Sequence, residues 1–113
     1  SGSRDLVPDI VVLKNSPARA TNLNVMSVIE VKTDATIRKP ESAGQVAEYL
    51  NALMTAPWRE RAMGILISST MVRFFLWRRT GGEVLETRVS DILNLSDQGV
   101  FRNVLAVAFG TAS

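Results

Sequence analysis

Three side chains in the first third of the chain have types and spacing that suit joint chemistry: Asp9, Glu30 and Lys32. Asp9 follows Pro8 at the mouth of a short apolar run, residues 8–14, and Glu30 and Lys32 lie two apart in a second run, residues 25–32. Side chains of a strand alternate faces, so Glu30 and Lys32 point the same way, roughly 7 Å apart at their Cα atoms, with Val31 between them pointing into the opposite layer. If the two runs are neighbouring strands, the carboxylate of Asp9 approaches that of Glu30. Two carboxylates brought together repel unless a cation sits between them. Magnesium or manganese suits such oxygen ligands and keeps several waters. One of those waters can attack a phosphate, and a lysine beside it can orient the water or offset the developing charge.

A further pair lies on a predicted helix. Gln45 and Tyr49 are four residues apart and share a face that flanks the apolar stripe. The amide can hydrogen-bond a water or a phosphate oxygen, and the phenol can stack or donate. Each of these features also has an ordinary explanation. Strands often surface with Glu-x-Lys, and helices often carry a surface amide and a packed tyrosine.

Composition narrows the chemistry. The chain has 113 residues, no cysteine and no histidine. Disulfides, zinc fingers and Ser-His-Asp or Cys-His catalysis are therefore excluded, and any reaction must use carboxylates, Lys, Arg, Tyr, Ser or a metal held by oxygens. The absence of cysteine fits an intracellular, reducing compartment. Hydrophobic residues make up 46% of the chain, enough to fill one core. No apolar run approaches the ~20 residues that span a bilayer, so no membrane association is expected. Lys and Arg number 13 against 11 Asp and Glu, and ten of the cations are the planar, phosphate-matching Arg. Ser1-Gly2-Ser3 reads as a remnant of expression, which leaves residues 4–113 as one domain.

The elements that must hold these residues follow from patterning. Residues 8–14 and 25–32 are β-branched and apolar and are expected to pair antiparallel across the polar loop 15–24. Pro40 and Ser42 open a helix with Ser42 as N-cap, and Val46, Leu50, Leu53 and Met54 face the core up to about Ala56, before Pro57. Strands are expected over 62–68, 71–78 and 83–89, with Gly81-Gly82 as a turn. Ser90 and Ser96 look like N-caps. Val100, Phe101, Val104, Leu105 and Ala108 mark a last helix stopped at Gly110. The order is β-β-α-β-β-β-α, an α/β chain.

Taken in order, Pro8-Asp9, Glu30-Val31-Lys32 and Gln45-Val46-Ala47-Glu48-Tyr49 resemble the PD-(D/E)XK nuclease-like superfamily, and the helix element is similar to the QxxxY motif of its RecB-type branch. The stretch from Pro8 to about Val107 is similar to the nuclease-like domain of Crinkler effectors and of the region preceding fungal-type protein kinases. The resemblance implies a restriction-endonuclease-like mixed β-sheet flanked by helices. The family core usually has a helix, often bearing a glutamate, and a strand ahead of the Pro-Asp strand. Only Arg4 to Val7 stand there, so the first helix and strand are expected to be lacking. The resemblance also implies roles: Asp9 and Glu30 as magnesium or manganese ligands with the Val31 carbonyl, Lys32 as the catalytic lysine, Gln45 orienting lysine, water or phosphate, and Tyr49 in support.

A second constellation is basic and aromatic: Trp58-Arg59-Glu60-Arg61, then Arg73, Phe74, Phe75, Trp77, Arg78 and Arg79. Such interleaving can hold phosphates and stack on bases. In a strand, Val72, Phe74 and Leu76 share one face, read as core, and Arg73, Phe75 and Trp77 share the other, read as half-covered. Arg78 and Arg79, at the strand end, are candidate substrate contacts, and Phe75 with Trp77, if exposed together, would form a partner surface. The leading expectation is a magnesium-dependent nuclease-like domain acting on DNA or RNA in the nucleus or cytoplasm, including delivery into a host cell as a Crinkler-type effector. The alternative is a catalytically inactive nucleic-acid-binding or protein-interaction module attached to a kinase or NTPase. An exposed sheet edge would invite a homodimer or a larger parent protein.

Overall fold

The structure is a computed structural model that describes residues 8–13, 25–81 and 84–108. Its elements are β1 (Ile10–Leu13), β2 (Val25–Val31), α1 (Pro40–Leu53), β3 (Arg61–Ile67), β4 (Met71–Arg79), β5 (Leu85–Val89), β6 (Leu93–Asn94) and α2 (Gln98–Ala108). The sheet runs β1-β2-β3-β4-β5, and the short β6 pairs with the start of β4. β1 pairs antiparallel with β2, as the two apolar runs required. β2 and β3 are parallel neighbours, and α1 is the crossover between them. β3, β4 and β5 form an antiparallel meander. The described residues thus form a mixed α/β sheet with two helices, consistent with a restriction-endonuclease-like fold. No helix among the described residues is long and apolar enough to cross a membrane.

The larger core lies under α1. Val46 and Leu50 are fully buried and Tyr49, Leu53 and Met54 nearly so, as their helical spacing demands. They pack on Val28, Ala62, Leu66, Phe75 and Trp77. Gly64 sits in the middle of β3 where α1 comes closest; a Cβ there would lie 2.8 Å from Val46 Cγ1. The other face carries a smaller cluster, Ile65 and Val72, partly covered by Val100 and Val104 of α2.

Several expectations change. The faces of β4 are reversed in weight: Phe75 and Trp77 are 3% and 5% exposed and belong to the main core, whereas Phe74, in the smaller cluster with Val100 and Val104 of α2, and Leu76 are only half-buried. Trp77 places its indole N–H on Asn51 Oδ1 at 2.6 Å, so β4 is pinned to α1, and the partner surface expected from these two rings does not exist. The N-cap of α1 is Lys39, with Pro40 as first helical residue. Ser42 is buried inside the first turn and donates to the Thr36 carbonyl at 2.7 Å. Ser90 is no cap either: its hydroxyl accepts from the Phe74 amide at 2.9 Å. Asp97, not Ser96, caps α2, accepting from the Val100 amide at 3.1 Å. The regular part of α1 ends at Leu53, and tighter i+3 turns carry the chain to Ala56. β6 was not expected; two residues are too few to leave a periodicity. Lys14, the loop 15–24, the residues ahead of Pro8, Gly82 and the Gly110 stop lie outside the described residues.

Candidate active site

The end of β2 places the acids. The β1–β2 register pairs Ile10 with Ile29, so Asp9 stands one step beyond, level with Glu30. Asp9 is tied to the end of β2 twice: its amide donates to Glu30 Oε1 at 3.2 Å, and the Val31 amide donates to Asp9 Oδ2 at 2.9 Å. Asp9 is exposed, but Glu30 is only 3% exposed, an expensive place for a carboxylate without partners. Besides the Asp9 amide, its partner is the Lys32 ammonium, 3.5 Å from Oε2, on the same strand face two residues on. Val31 does face the other way, as alternation requires. At 48% exposure, however, it opens to solvent and does not enter a packed layer.

The α1 stripe brings the remaining pair to the same face. The Gln45 amide lies 3.3 Å from the Tyr49 hydroxyl. Tyr49 is buried, and its pKa is raised first by that burial and next by the negative charge of Glu30, with smaller contributions from Asp9 and Glu48; the Gln45 hydrogen bond opposes the rise. The phenol is therefore within electrostatic reach of both acids and stays protonated, as a donor, throughout the physiological range. Asp9, Glu30, Lys32, Gln45 and Tyr49 form one neighbourhood at the carboxyl end of β2, under the first turns of α1.

Arg78 and Arg79 do not join it. Arg78 is level with Arg61, at the start of β3, whereas Glu30 is level with Leu66, five residues along that strand, about 17 Å away. Arg78 pairs with Glu86 at 2.5 Å. Arg79 donates to the carbonyls of Met54 (2.7 Å), Arg59 (3.2 Å) and Ala56 (3.4 Å), closing the carboxyl end of α1. The local reading of strand-end arginines missed this because it could not see where the helix would stop.

One neighbour was missed. Asp34, just past β2, accepts from the Ser68 hydroxyl at 2.5 Å, the Ser69 hydroxyl at 3.3 Å and the Thr70 amide at 3.3 Å. These bonds, that of Ser68 foremost, hold its pKa below the ordinary value. They tie the end of β2 to the β3–β4 turn, while the Lys32 amide bonds the Ile67 carbonyl at 2.8 Å, so the backbone carrying Lys32 is fixed from both sides. An Asp followed by a distant Ser-Ser-Thr gives no local signal of such a clamp.

Asp9 and Glu30 offer hard oxygen donors on adjacent chain segments, with the Val31 carbonyl next in sequence to Glu30. That donor set fits magnesium or manganese. Among the described residues no group of three or more His, Cys, Asp or Glu side chains converges there or elsewhere. No protein-family model, curated protein or solved structure matches the chain.

Proposed function

We propose that the domain is a magnesium-dependent nuclease-like module of the PD-(D/E)XK type, acting on DNA or RNA phosphodiesters inside cells. The observation that carries this reading is a carboxylate buried to 3% at a strand end, with a second carboxylate hydrogen-bonded into the same corner and an ammonium 3.5 Å away. The order of Asp9, Glu30-Val31-Lys32 and Gln45…Tyr49 along the chain supports the family, and a Crinkler-type context rests on that resemblance alone.

Asp9, Glu30 and the Val31 carbonyl would hold the cation, which supplies Lewis-acid stabilisation of charge on a phosphate when bound. Lys32 offers a positive charge beside the same place, positioned by Glu30. Gln45 and the protonated Tyr49 add hydrogen-bond donors from the helix side.

The test is a nicking assay on plasmid and a parallel assay on single-stranded RNA, with magnesium or manganese. Asp9→Ala and Lys32→Ala are each expected to lower cutting by about 10²-fold or more, the scale of losing one positioned charge. Cutting that survives both substitutions overturns the assignment. A second reading has its own observation: both acids already have protein partners, and no third acid joins them among the described residues. An inactive nucleic-acid-binding or protein-interaction module attached to a kinase or NTPase would keep this corner as a structural lock. Salt-dependent nucleic-acid binding without cutting by the wild type, or a stable protein partner with no nucleic-acid affinity, favours that reading.

A further inference from the structure

β5 is an edge strand, and its sequence, Leu85-Glu86-Thr87-Arg88-Val89, is complementary to itself when read in the opposite direction. Turned antiparallel about Thr87, Leu85 falls opposite Val89, Glu86 opposite Arg88, and Thr87 opposite Thr87. Every position meets its apolar, opposite-charge or hydroxyl counterpart. We propose that β5 pairs with β5 of a second copy of this chain, continuing the sheet across a two-fold axis at Thr87. This goes beyond the nuclease-like reading and does not depend on it.

The backbone is phased for this pairing. In the β4–β5 ladder, the Ser90 amide donates to the Phe74 carbonyl at 2.9 Å and the Thr80 amide to the Val84 carbonyl at 2.9 Å. Antiparallel bonds alternate, so the residues between that turn amide and carbonyl toward β4 are Glu86 and Arg88, opposite Arg78 and Leu76. Leu85, Thr87 and Val89 therefore turn theirs outward. The proposed register places these residues against the same outward set: Thr87 on the partner's Thr87, Leu85 on the partner's Val89. Glu86 and the partner's Arg88 then form the non-hydrogen-bonded pair, in which opposing side chains stand closest.

The side chains are available. Leu85 and Val89 are 40% and 45% exposed, and no described strand pairs with the outer side of β5. Glu86 is held by Arg78 at 2.5 Å and by Arg88 at 3.6 Å, and these bonds, that to Arg78 first, keep its carboxyl below the usual range, so it is a charged acceptor for a further arginine. The other edge, β1, reads Ile-Val-Val-Leu and has no charge to select a register. Five residue pairs bury less than the ~1,600 Å² of a standard interface, so the association is weak, on the order of micromolar or above.

Sedimentation equilibrium of the whole chain, at concentrations from about 1 μM to about 1 mM in low salt, reads the result directly. The wild type is expected to pass from monomer to dimer. Arg88→Glu sets acid against acid, and Glu86→Lys sets base against base, so each is expected to raise the dissociation constant at least tenfold. An equimolar mixture of the two variants restores complementarity in the heterodimer and is expected to associate at least as tightly as the wild type. Thr87→Pro removes an outward amide without touching the β4 ladder and is expected to abolish pairing. A wild type that stays monomeric throughout overturns the proposal. So does dimerisation that is indifferent to Arg88→Glu and Thr87→Pro, or a mixture no tighter than its components. The Arg88 side chain is two-thirds exposed, so Arg88→Glu decides the matter even should another variant fail to fold.

Discussion

Glu30 shows how one side chain can organise a corner. Its carboxylate is removed from water, yet it holds Lys32 and the Asp9 amide and places a negative charge beside the Tyr49 phenol. Tyr49 is the chain's single tyrosine, so phenolate absorbance reports on it alone. A raised folded-state pKa means that the native state keeps the proton longer than the unfolded chain. Stability from this group is complete below the unfolded value of 10.0 and is lost as pH rises through the higher folded value. Spectrophotometric titration is expected to show ionisation only above that value, and Glu30→Gln to bring the midpoint down toward it without eliminating the share due to burial. A midpoint unmoved by Glu30→Gln would show that the charge of Glu30 does not reach the phenol.

The elements were largely legible because their apolar periods are strong. Val46, Leu50, Leu53 and Met54 mark α1 at helical spacing, and the apolar content of β3 marks a central strand. The face of β4 was misjudged because both of its faces carry aromatic or aliphatic residues, and alternation cannot say which one meets the longer helix. The caps failed for a similar reason: Ser42 and Ser90 are buried or bonded across the fold, where local rules do not reach. That Glu30 and Lys32 share a strand face and Gln45 and Tyr49 a helix face was legible from strand alternation and the i, i+4 rule, whereas the tethering of Arg79 was not. The contact of α1 with β3 carries its own prediction. Gly64→Ala drives a methyl against the stiff, buried Val46 and is expected to cost about 1–3 kcal/mol, read as a lower urea midpoint at unchanged slope.

At the scale of the whole molecule, β1–β2 is one antiparallel unit and β3–β4–β5 another. The only parallel ladder among the described residues, β2 on β3, joins them, and α1 lies across the join through Val28, Leu66, Val46 and Leu50. Each antiparallel unit closes over short separations in sequence, while the join must wait for the crossover. The candidate site stands at one end of that join, with Glu30 on β2 and Tyr49 on the crossover.

A seam of this kind predicts how the molecule opens. Under native conditions, amide hydrogen exchange in the β2–β3 ladder and in α1 is expected to proceed with one shared opening free energy, lower than that of the β3–β4 ladder. Loosening the helix by Gly64→Ala should then speed exchange at Val28, Glu30 and Lys32, whose amides face β3, together while leaving β4 protected. Uniform acceleration in every strand would instead show that the sheet comes apart as one cooperative block.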